Sequence, residues 1–234
     1  MNTAPVSFVT RLFDLLSPRQ CAGCQQRLSI GEWVACDRCM LHTSFTPFSF
    51  APRNNMMARM FWGLVDLERA AALFFYEANS EPAMLIHAMK YHGQRDLAEN
   101  LGEMLARELQ TDDFFNGIDA IVPVPLSADR QRHRGYNQSE CLAKGISNVV
   151  GIPVMKGVLA RKMFKGSQTH LNPIERRRNV EQAFRLVDGT KVEGKHVLLV
   201  DDVMTTGSTL LACATALSAV PGIKISVATL GFTK

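Results

Sequence analysis

The sequence predicts an α/β fold: a mainly parallel sheet flanked by helices, preceded by a small cysteine-bearing module. Three observations predict it. From about residue 61 onward, short apolar runs alternate with segments of helical periodicity, the pattern of βαβ units. His196–Val200 is continuously apolar, as expected of a strand buried on both faces of a parallel sheet. Four of the six cysteines fall in the first 45 residues, a stretch with few long apolar runs.

The chain divides into residues 1–45 as a metal-binding module, 46–60 as a linker and 61–234 as the main domain. The start, MNTAPVSFVTRLFDLLSP, has Arg11 and Asp14 within its apolar run and no basic leader, so it is not an export signal. Phe8, Leu12, Leu15 and Leu16 instead mark one side of a short amphipathic helix. Pro47, Pro52 and the Asn54–Asn55 pair give residues 46–60 their linker character. Strands are expected at Ala70–Tyr76, Ile118–Val124, His196–Val200 and Lys224–Leu230. Helices are expected at Pro82–Tyr91, Leu97–Leu109, Ser139–Val150 and Ser208–Ala219. Arg161–Gln182 lacks periodicity and reads as a long functional loop with a short helix near Pro173–Val180.

With 47% hydrophobic and 21% charged residues in 234, the composition is that of a globular protein and argues against disorder. A chain of this length buries a full core without staples, so its cysteines need another reason. The longest charge-free stretch, Val203–Ile223, holds Thr, Ser, Gly and Pro221 and reads as a loop plus a buried helix. It is not a membrane span, so no membrane insertion and a cytoplasmic location are expected. The net charge of +4 is uneven: Ser127–Arg185 carries 12 Lys+Arg against 4 Asp+Glu, or +8, leaving −4 for the rest. Such a block suits an anionic partner, polyphosphate or nucleic acid, or forms a solvated basic face.

Cys21-x2-Cys24 and Cys36-x2-Cys39 are separated by 11 residues. Two such knuckles supply four thiolates able to close around one tetrahedral Zn2+. The metal would then contribute on the order of 10 kcal/mol to folding this zone. The alternatives are a redox pair, which no thioredoxin-like context supports, and separate buried cysteines. His42 could substitute as a ligand, and Cys141 and Cys213 fit helix cores.

Val197–Val200 runs straight into Asp201-Asp202, then Val203-Met204, then Thr205-Thr206-Gly207-Ser208-Thr209. Ligands of open parallel sheets bind beyond the carboxyl ends of strands. Two adjacent carboxylates there can accept hydrogen bonds from a sugar diol or help orient a metal. The TTGST turn offers hydroxyls, backbone N–H groups and a helix N-terminus, all of which favour phosphate. A turn with a hydroxyl-capped helix would explain TTGST, but not the two acids before it.

In its strand context, Asp201–Thr209 resembles the phosphoribosyl pyrophosphate motif of type I phosphoribosyltransferases. The resemblance implies that Asp201 and Asp202 contact the ribose hydroxyls and that Thr205, Thr206, Gly207, Ser208 and Thr209 cradle the 5-phosphate. In one departure, hypoxanthine-type purine transferases carry an aspartate base where this chain has Thr205, which argues against that subgroup. Further segments are similar to the ComF/GntX family of phosphoribosyltransferase-like proteins. They are Asp119–Leu126, Arg130–Gln138 with its R-G-(aromatic)-N-Q run, Ile86–Gly93, Gln168, Glu175–Asn179 and Ala183-Phe184. This likeness covers most of the chain. It implies a type I phosphoribosyltransferase-like fold with an N-terminal zinc-ribbon-like module, and an association with competence and the use of imported DNA.

A departing pyrophosphate needs its charge neutralised, and arginine pairs phosphate oxygens bidentately. Arg130 and Arg134, four apart, would share a helical face; Lys90 and Arg176–Arg178 are further candidates, and His133 could donate to phosphate. His42, His87, His92, His170 and His196 have no evident partner and read as surface or satisfied core. No carboxylate or histidine stands out as a base for an acceptor. The sequence thus supports a Mg2+-assisted phosphoribosyltransferase whose long loop closes over phosphoribosyl pyrophosphate. The alternative is a non-catalytic competence factor that handles single-stranded DNA with the DNA-uptake machinery and uses the fold as a ligand sensor. Aromatic residues are sparse among these charges, with Tyr136 after the first basic stretch and only Phe164 interrupting the later one, so base stacking has little support there.

Overall fold

A computed structural model describes residues 18–91, 94–110, 113–162 and 183–234. The expected N-terminal helix, His92, Gly93, and the Arg161–Gln182 loop beyond Lys162, with its short helix, Phe164, Gln168, His170 and Glu175–Asn179, lie outside the described residues.

In chain order the elements are α1 (Asp37–Leu41), a 3-10 turn (Phe48–Phe50), α2 (Met56–Arg59), β1 (Arg69–Phe75), α3 (Glu81–Tyr91) and α4 (Arg95–Gln110). There follow β2 (Ala120–Pro123), α5 (Ala128–Arg134), α6 (Gln138–Val150), β3 (Leu159–Arg161), β4 (Phe184–Leu186), β5 (His196–Met204), α7 (Ser208–Leu217) and β6 (Lys224–Phe232). Four strands form a sheet in the order β1-β6-β5-β2, with every pairing parallel. β5 lies inside this sheet, and Val197–Val200 are fully buried. Their unbroken apolar character is what burial on both faces requires. The strand continues past Val200 through the two acids because β6 pairs with it as far as Met204 and Phe232.

The helices pack by apolar stripe and by backbone contact. α4 buries Leu97, Leu101, Leu105 and Leu109. A Cβ on Gly102 would lie 2.3 Å from the Leu142 carbonyl oxygen, and one on Gly145 would lie 1.9 Å from that of Glu99. Glycine at both positions lets α4 and α6 touch backbone to backbone. Among the described residues, no helix is long and apolar enough to cross a membrane.

Three features depart from the sequence expectation. Residues 46–60 are not a free linker. Thr46 N donates to Leu73 O (3.0 Å), and Phe75 N donates to Ser44 O (2.8 Å). The Asn55 amide donates to Ala70 O (2.7 Å) and Ala51 O (3.1 Å) while its oxygen caps α2, and Phe48 packs edge-on against Phe232. The asparagine that suggested a turn is a buried bracket onto β1. Second, the Arg130–Arg134 segment, absent from the expected helices although the spacing of its arginines gives them a shared helical face, lies in a full helix, α5, capped by the Ser127 hydroxyl and ended by Gly135 at φ +77°. Third, β3 and β4 pair antiparallel outside the main sheet. With three residues each, they are too short for periodicity to reveal.

Candidate functional site

The site begins where β5 leaves the core. Asp202 Oδ2 lies 3.1 Å from Lys90 Nζ, the cation at the end of α3, and both side chains are largely buried. Asp201 Oδ1 accepts from the Ser139 hydroxyl at 3.0 Å and from the Asp202 N–H at 2.9 Å. Burial and the Asp202 carboxylate push Asp201 up to about 7, against the Asp202 N–H, Ser139 and Lys90, which favour its charged form. One ammonium thus faces two carboxylates, and the strand end keeps acceptor capacity for hydroxyls or a cation.

The following turn is shaped by Gly207. Its φ is +73°, and a Cβ there would lie 2.7 Å from Met204 Cε. Gly207 is the N-cap of α7, and no side chain caps that helix. The Thr206 and Ser208 hydroxyls instead meet each other at 2.9 Å. The hydroxyls of this turn are therefore not consumed in capping, and Thr205 and Thr206 are exposed. An uncapped helix start beside exposed threonines and a left-handed glycine has the donors that suit an anion.

The segment Gly135–Ser139, most of which is the R-G-(aromatic)-N-Q run quoted for the family resemblance, is the bracket that holds this site. The buried Tyr136 hydroxyl donates to the Met89 carbonyl, fixing the turn of α3 that carries Lys90. Burial pushes the Tyr136 phenol up to about 12, so it stays a donor. The Arg95 guanidinium lies over the Tyr136 ring at 5.7 Å and donates to Gly135 O at 2.9 Å. The Asn137 amide ties to Val124 O at 3.0 Å, at the end of β2. Gln138 is buried; its oxygen accepts from Arg134 at 3.0 Å, while its Nε2 has no hydrogen-bond partner among the described residues.

The basic candidates separate. Lys90 is at the acidic pair, Arg134 is engaged by Gln138, and Arg130 is exposed on α5. A residue that sequence reasoning passed over joins them: Arg161, at the end of β3. It is partly buried over the Phe184 ring at 5.4 Å. Burial and the Arg130 charge disfavour its protonated form, while Asp201 and Cys213 favour it. Arg161 is thus a cation within electrostatic reach of both Asp201 and Arg130, 40 residues upstream of that acid.

The four N-terminal cysteines converge. The sulfurs of Cys21, Cys24, Cys36 and Cys39 all lie within 4.8 Å of one another. Cys21–Cys39 measures 3.8 Å and Cys24–Cys36 measures 3.6 Å. Metal–sulfur bonds of about 2.3 Å in a tetrahedron give sulfur–sulfur edges of about 3.8 Å. The donor set is therefore a metal site in chemistry and in size. His42 lies outside this cluster, and its Nδ1 meets Arg38 O at 2.7 Å. His196 is a satisfied core residue, with Nε2 2.8 Å from the Ser226 hydroxyl. Cys213 is fully buried and Cys141 partly so, as expected of helix-packing thiols.

Comparison with known proteins agrees with this geometry. Residues 136–231 match the family described as the phosphoribosyl transferase domain. The chain is 30% identical over 211 residues to the DNA utilization protein YhgH of Escherichia coli (strain K12), covering 86% of this chain and 91% of that protein. It is 34% identical over 135 residues to DNA utilization protein YhgH of Salmonella typhi, covering 56% of this chain and 59% of that protein. It is 35% identical over 132 residues to competence protein F of Haemophilus influenzae, covering 55% of this chain and 58% of that protein. In the last two alignments the chain spans less than two thirds of the relative's length.

Proposed function

The chain belongs to the ComF/GntX family of phosphoribosyltransferase-like proteins, and from that premise we propose that the carboxyl end of β5 binds phosphoribosyl pyrophosphate with Mg2+ and serves a phosphoribosyl transfer. The observation that carries this reading is the direct succession of two functions on one strand end. An acidic pair opposed by a single lysine is followed, five residues on at Gly207, by an uncapped, glycine-shaped helix start. The first suits a ribose diol; the second suits a 5-phosphate.

In this reading Asp201 and Asp202 accept from the ribose hydroxyls, and Thr205, Thr206, Gly207, Ser208 and Thr209 receive the phosphate. Arg130 and Arg161 face the pyrophosphate, with Arg134 held beside them by Gln138. Transfer breaks the C1–oxygen bond, its electron pair leaving with pyrophosphate, and forms a bond from the acceptor, which gives up a proton. Mg2+ fits these donors as an ion that arrives with pyrophosphate, because Lys90 and Ser139 already occupy carboxylate oxygens of Asp202 and Asp201 and too few remain for a cage. Bound there, it would offset the charge of the leaving group. Zinc is the metal this reading gives the four cysteines, as a structural centre with no open position.

A binding scan tests the proposal. Phosphoribosyl pyrophosphate with Mg2+ should raise the thermal midpoint in a concentration-dependent way, ribose-5-phosphate should do so less, and inorganic phosphate least. No rise with either sugar phosphate overturns it. A second reading, single-stranded DNA, is favoured by exposed Arg130, Arg132 and His133 on α5, together with the exposed Trp62 under Arg59 at 5.7 Å. It predicts DNA binding that falls steeply with salt and survives loss of the acidic pair.

A further inference from the structure

A cavity of about 430 Å³ lies between the four-cysteine module and α3. On one side its wall is the first knuckle, Ala22, Gly23 and Gln25; on the other it is Ala83, Met84, His87 and Ala88 of α3, with Tyr76 and Asn79 closing the end. That volume is within the range of small-molecule sites. We propose that this cavity binds an uncharged, planar ring bearing hydrogen-bond donors and acceptors, and that it is the acceptor site for the sugar phosphate held at Asp201 and Asp202. The acceptor role rests on the function proposed above; the binding of the ring does not.

The position supports the acceptor role. A Cβ on Gly231 would meet Tyr76 Cβ at 3.1 Å, Ile86 Cδ1 at 3.2 Å and Val203 Cγ2 at 3.3 Å. Glycine there brings Tyr76 and α3 against the residue that directly follows Asp202. His87 precedes Lys90 by three residues, about 4.5 Å along the helix axis. The helix that walls the cavity is therefore also the one that carries Lys90 to the second acid.

The lining selects the chemistry. No Lys, Arg, Asp or Glu side chain lines the cavity and thiolates lie behind Gly23, so an anionic ligand would meet no fixed cation there. Alanines and a glycine leave smooth walls suited to a flat ring. The carboxamides of Gln25 and Asn79 each offer donors and an acceptor, matching a ring edge that carries both. Both residues hold left-handed backbone, at φ +63° and +65°, and they are two of the three non-glycine residues described with positive φ. Gln25 is fixed by its N–H to Cys21 O at 2.9 Å. The metal module shapes the wall directly: a Cβ on Gly23 would lie 3.3 Å from Cys39 Sγ and 3.7 Å from Cys21 Sγ. A side chain at Gly23 would press on Cys39 Sγ, so the backbone there runs close between the sulfurs and the cavity. The four-cysteine centre is thus a wall of a ligand site as well as a fold staple.

The test uses the full-length, metal-loaded protein and ligand-observed NMR with adenine, uracil and nicotinamide as neutral rings and orotate as the charged control. Titrations run with and without phosphoribosyl pyrophosphate and Mg2+. At least one neutral ring is expected to bind, at least tenfold more tightly than orotate. Ala83→Phe, which fills the cavity, and Met84→Trp, which blocks it from a more exposed position, are each expected to weaken that ring at least tenfold while phosphoribosyl pyrophosphate still binds. The proposal is overturned if no neutral ring binds, if orotate binds as well as the neutral rings, or if binding survives both substitutions. If a ring binds and phosphoribosyl pyrophosphate does not, the sugar-phosphate reading and with it the acceptor role fail, while the cavity remains a ring site. If phosphoribosyl pyrophosphate binds and no ring does, the cavity proposal alone fails.

Discussion

The Ser139 hydroxyl donates to Asp201 Oδ1 at 3.0 Å, joining the first turn of α6 to the acidic end of β5 across 62 residues. This bond couples the Gly135–Ser139 bracket to the carboxylate that it orients. Ser139→Ala should cost about 1–3 kcal/mol, the range for a hydrogen bond to a charged or desolvated group. Chemical denaturation measures it. Ser139→Thr, which keeps the hydroxyl, should restore most of the loss; an unchanged midpoint in Ser139→Ala would show that the bond contributes nothing.

Asp201 gives the protein a pH signature. Its carboxyl rises from the ordinary 3.8 to about 7 because burial and Asp202 disfavour the charge. Between those values the folded state holds a proton that the unfolded chain has released. By linkage this contribution is fully present below about pH 4 and is lost as pH rises through 7. Asp201→Asn should flatten that part of the profile and be relatively more stable than the parent at pH 8. Thermal midpoints across pH 4–8 for the two proteins decide it, and parallel profiles would contradict it.

Gly207 carries two constraints at once, a φ of +73° and a Cβ position 2.7 Å from Met204 Cε. Gly207→Ala should cost about 1–2 kcal/mol for the left-handed backbone alone. The Met204 contact adds to this, although its flexible thioether can swing aside. Urea denaturation should show the loss, and a double-mutant cycle with Met204→Ala, whose own cavity cost is measured separately, should isolate the contact part.

The cysteine cluster should hold one zinc per chain, released by a chelator together with a fall in thermal midpoint. Cys36→Ser, at a buried ligand, should abolish metal retention. Metal analysis of the purified chain checks this; a metal-free protein of unchanged midpoint would contradict it.

Much of this was legible in the sequence because its signals are local. Val197–Val200 declares a buried strand, the α4 stripe declares an amphipathic helix, and the paired Cys-x2-Cys spacings declare a cluster. What was not legible depends on contacts distant in sequence. β5 extends through Asp201 and Asp202 because β6 pairs with it there, although aspartate disfavours strands. Asn55 looks like a turn residue until its amide meets Ala70 O. Arg161 borders an aperiodic segment, and only the fold sets it near Asp201. The R-G-(aromatic)-N-Q run stood out as a motif, but its structural work, done by Tyr136, Asn137 and the following Ser139, which anchor α3, β2 and β5, shows only in the fold.

The central claim is that the end of β5 holds a ribose and its phosphate. The most direct measurement is a calorimetric titration of phosphoribosyl pyrophosphate with Mg2+ into the parent chain and into Asp201→Asn/Asp202→Asn. Saturable binding to the parent, weakened a hundredfold or more, about 2.7 kcal/mol, in the double variant, is the predicted result. Equal affinity in the two proteins, or no binding to the parent, would contradict it.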